Sequence, residues 1–152
     1  MIEFVGSASC KLDDKLRLAL PSRFLKQLEG KPENNKFIIK PSLHLPCIEI
    51  YPKVNWDVTM GWLRELDQLR PEVQKYMLYF LRDHQYVQLD KSNRLLIPGE
   101  LINHAAIEKE VMLSSQLHIL QLWTHGKYKT RTGTLPEDFD EITRIALNTK
   151  NG

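Results

Sequence analysis

Leu12-Asp-Asp-Lys-Leu-Arg-Leu-Ala-Leu-Pro21 is the stretch that decides the fold, because the chain carries it twice. The second copy is Leu89-Asp-Lys-Ser-Asn-Arg-Leu-Leu-Ile-Pro98, at an offset of 77 residues. Over positions 12–26 and 89–103, five of fifteen residues are identical. Leu20/Ile97, Phe24/Leu101 and Leu25/Ile102 are apolar in both copies, where composition alone predicts about one match. Downstream, Phe37-Ile-Ile39 is answered by Val111-Met-Leu113, and Ile48-Glu-Ile-Tyr51 by Leu120-Gln-Leu-Trp123. Such self-similarity marks one structural unit used twice.

Within a unit, the alternating residues up to Leu-Asp read as a strand, Asp-x-x-x-Arg as a polar turn, and Arg-Leu-x-Leu/Ile as a second strand. Pro21 and Pro98 stop these strands and open short helices over residues 22–28 and 99–105, the first ending before Gly30. Two more strands joined by a turn complete the unit. It is too small to bury its own apolar face. Two copies in one chain are therefore expected to pair about a pseudo-twofold axis and share a core, an α+β architecture.

Between the copies, Val58, Trp62, Leu66 and Leu69 recur at helical spacing, as do Val73, Tyr76, Met77, Phe80 and Leu81 after Pro71. This predicts a helical pair broken at Arg70-Pro71. The aromatic stripe Trp56, Trp62, Tyr76, Tyr79 and Phe80 has helical period, which favours core or subunit contact over base stacking. In the tail, Thr134-Leu-Pro-Glu137 has the pattern of a capping box. A helix of about three turns is expected after it, with Phe139, Ile142 and Ile145 on one face, and the chain should fray beyond Asn148. The division is thus 1–53 for the first unit, 54–83 for the helical connector, 84–125 for the second unit and 126–152 for the helical tail.

Length, 42% hydrophobic content and nearly balanced charge describe an ordinary globular chain of 152 residues. No apolar run approaches the roughly 18 residues of a membrane span, and the start MIEFVGSASCKLDDK lacks the regions of a signal peptide. A cytoplasmic protein is expected. Cys10 and Cys47 lie 37 residues apart without Cys-x-x-Cys spacing, so reduced thiols are the default and, with five scattered histidines, no metal site is expected. An enzyme would have to use Asp13 and Asp14, or His118 and His125. Adjacent carboxylates on a strand point to opposite sides, and no nucleophile elbow, phosphate-binding glycine loop or metal spacing is present. A non-enzyme without cofactors is the reading.

The net charge of +2 is unevenly spread. Residues 1–53 hold nine Lys/Arg against six acids, or +3, leaving −1 for the remainder. That permits a nucleic-acid partner without requiring one. The repeated turns present Asp13, Lys15 and Arg17 in one copy and Asp90, Lys91 and Arg94 in the other. A short Asp accepts from backbone N–H groups two residues on and fixes the turn, leaving the cations to point outward. An outward Arg fork suits guanine O6 and N7, and a Lys suits phosphate. An isolated turn of this kind is more often a surface ion pair; its duplication at symmetry-related positions brings the two readings level. Lys127-Tyr-Lys-Thr-Arg131 is basic too, and reads first as a solvated helix end.

The two turns, with Ala106-Ile-Glu-Lys-Glu-Val-Met-Leu113, Ile50-Tyr-Pro52 and Pro136-Glu-Asp-Phe139, resemble the MraZ family, and the resemblance covers nearly the whole chain. It implies two tandem SpoVT-AbrB units, each a swapped hairpin. It implies a transcriptional regulator, usually a repressor of the division and cell-wall gene cluster that includes its own promoter, bound to short direct repeats in double-stranded DNA and associated with the nucleoid. It also implies self-assembly into a ring. The family's role of touching DNA falls on Lys15, Arg17, Lys91 and Arg94, with Asp13 and Asp90 as turn supports. The family turn has glycine where this chain has Leu16 and Asn93. If that position takes a positive φ, Asn93 follows at modest cost, whereas Leu16 is strained by roughly 1 kcal/mol, so the first turn is expected to be rearranged.

Four motif cations on one chain make few phosphate contacts, but a ring contacting successive repeats multiplies them. The central helices would then supply the subunit interface, or else only cap the monomer's core. Two alternatives remain at this level. One is a ring-forming interaction module that has lost DNA binding, and the other an AbrB-type antitoxin, although such proteins usually carry one unit.

Overall fold

Each repeated hairpin pairs with strands of the opposite repeat. The computed structural model describes residues 1–148, and in it β1 (Ser7–Lys11) and β2 (Arg17–Ala19) flank the first turn, while β5 (Gln85–Gln88) and β6 (Arg94–Leu96) flank the second. β1 lies antiparallel to β7 (Glu110–Gln116) of the second repeat, and β5 to β3 (Lys36–Pro41) of the first. With β4 (Ile48–Pro52) and β8 (Ile119–Thr124) these form a six-stranded antiparallel sheet in the order β1-β7-β8-β4-β3-β5, beside a separate β2-β6 ribbon. Exchanging the repeats turns that order into itself read backwards, as a pseudo-twofold axis requires. Leu18 and Leu95, equivalent in the repeat, face each other across the ribbon and are fully buried.

The short helices α1 (Ser22–Gln27) and α4 (Gly99–His104) follow Pro21 and Pro98. Each proline is the N-cap residue with φ −57°, so it lies one position ahead of the helix and ends the preceding strand. Strand alternation then sorts the sheet into two faces. Ile48 and Ile50 of β4 and Leu120 and Leu122 of β8 point inward to a core closed by Phe24 of α1, Leu101 of α4 and the ribbon leucines. At about 25 cal/mol per Å² of apolar area, this shared burial supplies the stability that neither unit has alone.

The outer face is covered by helices. The connector forms α2 (Lys53–Arg64) and α3 (Pro71–Phe80); α2 ends before the expected break at Arg70-Pro71, so Leu66 and Leu69 lie in the turn between the helices rather than on the first helix, and Pro71 opens α3 after an extended Arg70, with ψ 131°. Of the aromatic stripe, only Trp56 and Phe80 are buried; their rings stack at 5.9 Å over Tyr51 and Ile38. Trp62, Tyr76 and Tyr79 stay 58%, 44% and 58% exposed, which leaves an apolar surface on the connector. Over the second repeat, Tyr128 of α5 (His125–Thr132) packs on Trp123.

Also on the outer face, Lys40 is fully buried and donates to Glu49 Oε1 at 3.1 Å and to the Pro41 carbonyl at 2.9 Å, with Phe80 above it at 4.5 Å. Tyr51 donates its hydroxyl to the same Glu49 oxygen.

The last helix, α6 (Phe139–Asn148), has the expected length, but it starts later than the capping box predicts. Pro136 forces Leu135 away from helical geometry. Helix-type bonding therefore begins with Phe139 N–H on the Pro136 carbonyl, and Thr134 caps nothing. Phe139, Ile142 and Ile145 share a face that remains 38–53% exposed. The fraying expected after Asn148 falls outside the described residues.

Candidate nucleic-acid interface

The two turns have one construction. Asp13 Oδ1 accepts the N–H groups of Lys15 and Arg17, both at 2.9 Å, and Asp90 Oδ1 accepts those of Ser92 at 2.8 Å and Arg94 at 2.9 Å. Leu16 N–H closes the first turn on the Asp13 carbonyl and Asn93 N–H the second on Asp90, each at 3.0 Å. The side-chain bonds to the backbone are those expected of a turn-fixing Asp.

The first turn is not rearranged. Leu16 stands at φ 61° and Asn93 at φ 59°, so leucine shares the left-handed conformation of its counterpart in the second turn. Its surroundings hold it there. The Leu16 carbonyl accepts Ile97 N–H from the other repeat at 2.9 Å, as the Asn93 carbonyl accepts Leu20 N–H at 3.0 Å. The Leu16 side chain lies beside Gly99 and lines a cavity of about 190 Å³ with Leu12, Ile102 and Ile107. Contacts on both sides thus offset a strain of roughly 1 kcal/mol.

β2 and β6 run antiparallel with Arg17 opposite Leu96 and Ala19 opposite Arg94, and the crossed backbone bonds extend this ladder, so the turns lie at opposite ends of the short ribbon, while Arg17 and Arg94, each next to the buried Leu18–Leu95 pair, project from its same face. The arginines do not simply point outward. Arg17 Nε donates to Asp13 Oδ2 at 2.7 Å and Arg94 Nε to Asp90 Oδ2 at 3.0 Å, each side chain keeping about 30% of its surface exposed. The i, i+4 spacing within a tight turn returns the guanidinium to the carboxylate that fixes the turn. Arg94 Nη1 also approaches Asp13 Oδ2 at 3.9 Å, across the pseudo-twofold axis. Lys15 and Lys91 are exposed and, among the described residues, make no ion pair.

Electrostatics follows the bonding. The Arg17 N–H holds the Asp13 carboxyl below the usual carboxylate range; desolvation opposes this, and the Arg17 side chain and Lys15 N–H add to it. Asp90 is lowered in the same way, first by the Arg94 N–H.

Sequence reasoning missed two contacts here. Lys109, just before β7, pairs with Asp14 at 3.4 Å and adds a cation beside the first turn, and the Arg94–Asp13 approach couples the turns. The doubled Asp-x-x-x-Arg spacing was the available signal for the second; nothing local signals the first, because the partners lie 95 residues apart.

The residues considered for catalysis form no constellation. Asp14 is exposed against Lys109, and Nδ1 of His118 is buried without a partner. Cys10 and Cys47 are free thiols, the latter pushed up to about 12, chiefly by burial. Among the described residues no group of His, Cys, Asp and Glu is placed to hold a metal ion, and no helix is long and apolar enough to cross a membrane.

Comparison with known proteins bears on the same residues. A family described as "MraZ protein, putative antitoxin-like" matches residues 4–68 and 80–148, one segment for each repeat with its following helix. The chain is 34% identical over 147 residues to "Transcriptional regulator MraZ" of Christiangramia forsetii, covering 97% of this chain and 94% of that one. It is 28% identical over 151 residues to the protein of the same name from Flavobacterium psychrophilum, covering 99% and 96%. A third of that name, from Pectobacterium carotovorum, is 33% identical over 120 residues, 79% of this chain and 78% of its own. With the tandem swapped hairpins and the doubled turn in place, the chain belongs to the MraZ family.

Proposed function

We propose that the protein is a DNA-binding transcriptional regulator, not an enzyme, and that the paired turns read the DNA. The observation that carries this is that swapped hairpins join two turns of the same construction through the β2-β6 ribbon, with Arg17 and Arg94 on one face of it and the exposed Lys15 and Lys91 in the flanking turns. The relatives named as transcriptional regulators support it. In this reading residues 1–53 and 84–125 are the DNA-reading units, 54–83 is a connector and 126–152 a tail. The regulator acts in the cytoplasm, on the nucleoid, as a repressor of the division and cell-wall cluster and its own promoter.

Its operator consists of short direct repeats, engaged by a ring of subunits. Two apolar surfaces support assembly: Trp62, Leu66 and Leu69 with Tyr76 and Tyr79 on the connector, and Phe139, Ile142 and Ile145 on α6. Different faces on one chain join head to tail, and such contacts close into rings when the rotation allows. Avidity then compensates for the small charge of each chain.

A second reading has one observation in its favour. Both arginines already have carboxylate partners within the protein, which fits an assembly module that has lost DNA binding. The test is binding of the purified protein to a fluorescent copy of the DNA upstream of its own gene, across a salt series, with scrambled DNA as control. Specific binding that falls steeply with salt supports the regulator. Absent or equal binding by a protein that still runs as a large assembly supports the module.

A further inference from the structure

The turn-supporting aspartates do more than shape backbone. In each turn one carboxylate oxygen, Oδ1, takes the backbone N–H groups, while the other, Oδ2, takes the arginine Nε. A guanidinium held at Nε keeps four further N–H groups on its two Nη atoms, in a plane fixed by the carboxylate. Such a fork reaches an acceptor pair with little loss of side-chain freedom, whereas an untethered arginine loses that freedom on binding. The two turns are not equivalent in this respect. Asp13 Oδ2 serves Arg17 Nε at 2.7 Å and also lies 3.9 Å from Arg94 Nη1; among the described residues no ion pair joins Asp90 to Arg17.

We propose that Asp13 and Asp90 are positioning residues that set the base preference of the protein by aiming the Arg17 and Arg94 forks, and that Asp13 governs both forks while Asp90 governs only its own. The inference rests on the DNA-binding reading above. It separates two roles that one residue type combines. Asparagine keeps an Oδ1 acceptor for the backbone N–H groups and so preserves the turn, but its Nδ2 is a donor and cannot accept from an arginine Nε.

The experiment uses full-length wild type, Asp13→Asn and Asp90→Asn. Duplexes are selected from a randomised DNA pool by the wild-type protein, and all single-base substitutions of the selected site are then titrated with each variant. Thermal melting and particle size report whether fold and assembly are kept. Asp90→Asn is expected to relax discrimination at one base position, and Asp13→Asn at two, by roughly five- to a hundredfold at each. The salt dependence, set by the number of phosphates neutralised, should stay unchanged in both. Unchanged base preference in a folded Asp13→Asn overturns the inference, and identical patterns for the two variants overturn the asymmetry. If Asp13→Asn does not fold, Arg17→Lys decides. It keeps the charge without the fork, so it must retain affinity for random DNA while losing preference, and retained preference overturns the proposal. A pool from which the wild type selects nothing overturns DNA reading itself, and the aiming role with it.

Discussion

Replacing Lys40 by methionine tests whether the outer face of the sheet is held by a buried ion pair. The Lys40 side chain is 1% exposed and that of its partner Glu49 is 14% exposed. Methionine has nearly the same length and fills the space under Phe80, so packing is largely kept and the charge alone is removed. Glu49 is then left largely buried with, among the described residues, only the Tyr51 hydroxyl as a side-chain donor. Removing one member of a buried pair costs about 3–5 kcal/mol, because the remaining charge is uncompensated. For a chain of this size that corresponds to a drop of roughly 6–20 °C in Tm. Adding Glu49→Gln to Lys40→Met removes the stranded charge and should recover most of the loss, leaving a deficit below about 2 kcal/mol. The assay is thermal and urea unfolding of wild type, both single variants and the double variant, at one fixed protomer concentration because assembly raises apparent stability. A shift under about 2 °C for Lys40→Met, or a double variant as unstable as the sum of the singles, would refute the reasoning.

Arg17→Ala and Arg94→Ala should each weaken specific DNA binding by roughly five- to a hundredfold with particle size unchanged, measured by titration of labelled operator; unchanged affinity in both removes the turns as reading heads. Leu16→Ala should destabilise more than Leu16→Gly in urea unfolding. Alanine keeps the positive-φ strain of roughly 1 kcal/mol and loses the packing beside Gly99, whereas glycine loses only the packing, and the reverse order would contradict the strain. Acid unfolding should depend on Asp13 and Asp90. Their carboxyls are depressed in the folded protein, so the stability they contribute is present above the ordinary value of 3.8 and is lost as pH falls through and below it. Urea midpoints between pH 6 and pH 2 should therefore fall less steeply in the double Asn variant than in wild type.

The repeat at Leu12–Pro21 and Leu89–Pro98 determined the unit, its strand and helix order, the pseudo-twofold and the turn residues by itself, because hydrophobic period, proline and Asp-x-x-x-Arg spacing are local signals. Leu18 opposite Leu95 was implicit in the 77-residue offset. The start of the second connector helix at Pro71 was legible for the same reason, whereas the end of the first at Arg64, ahead of Leu66 and Leu69, was not, and Pro136 overrode the capping pattern at Thr134 through a restriction on its neighbour Leu135. What only the tertiary structure decided are the relations between residues far apart in the chain. Leu16 keeps a glycine-like turn because the Ile97 N–H, in the other repeat, grips its carbonyl. Lys40 is buried because Glu49 and Phe80 arrive from two other elements, and Arg94 meets Asp13 because swapped hairpins lie side by side. Periodicity records which face of an element a residue occupies; which partner waits on that face is fixed by the folded chain, where a desolvated charge or a strained φ persists only if distant groups compensate it.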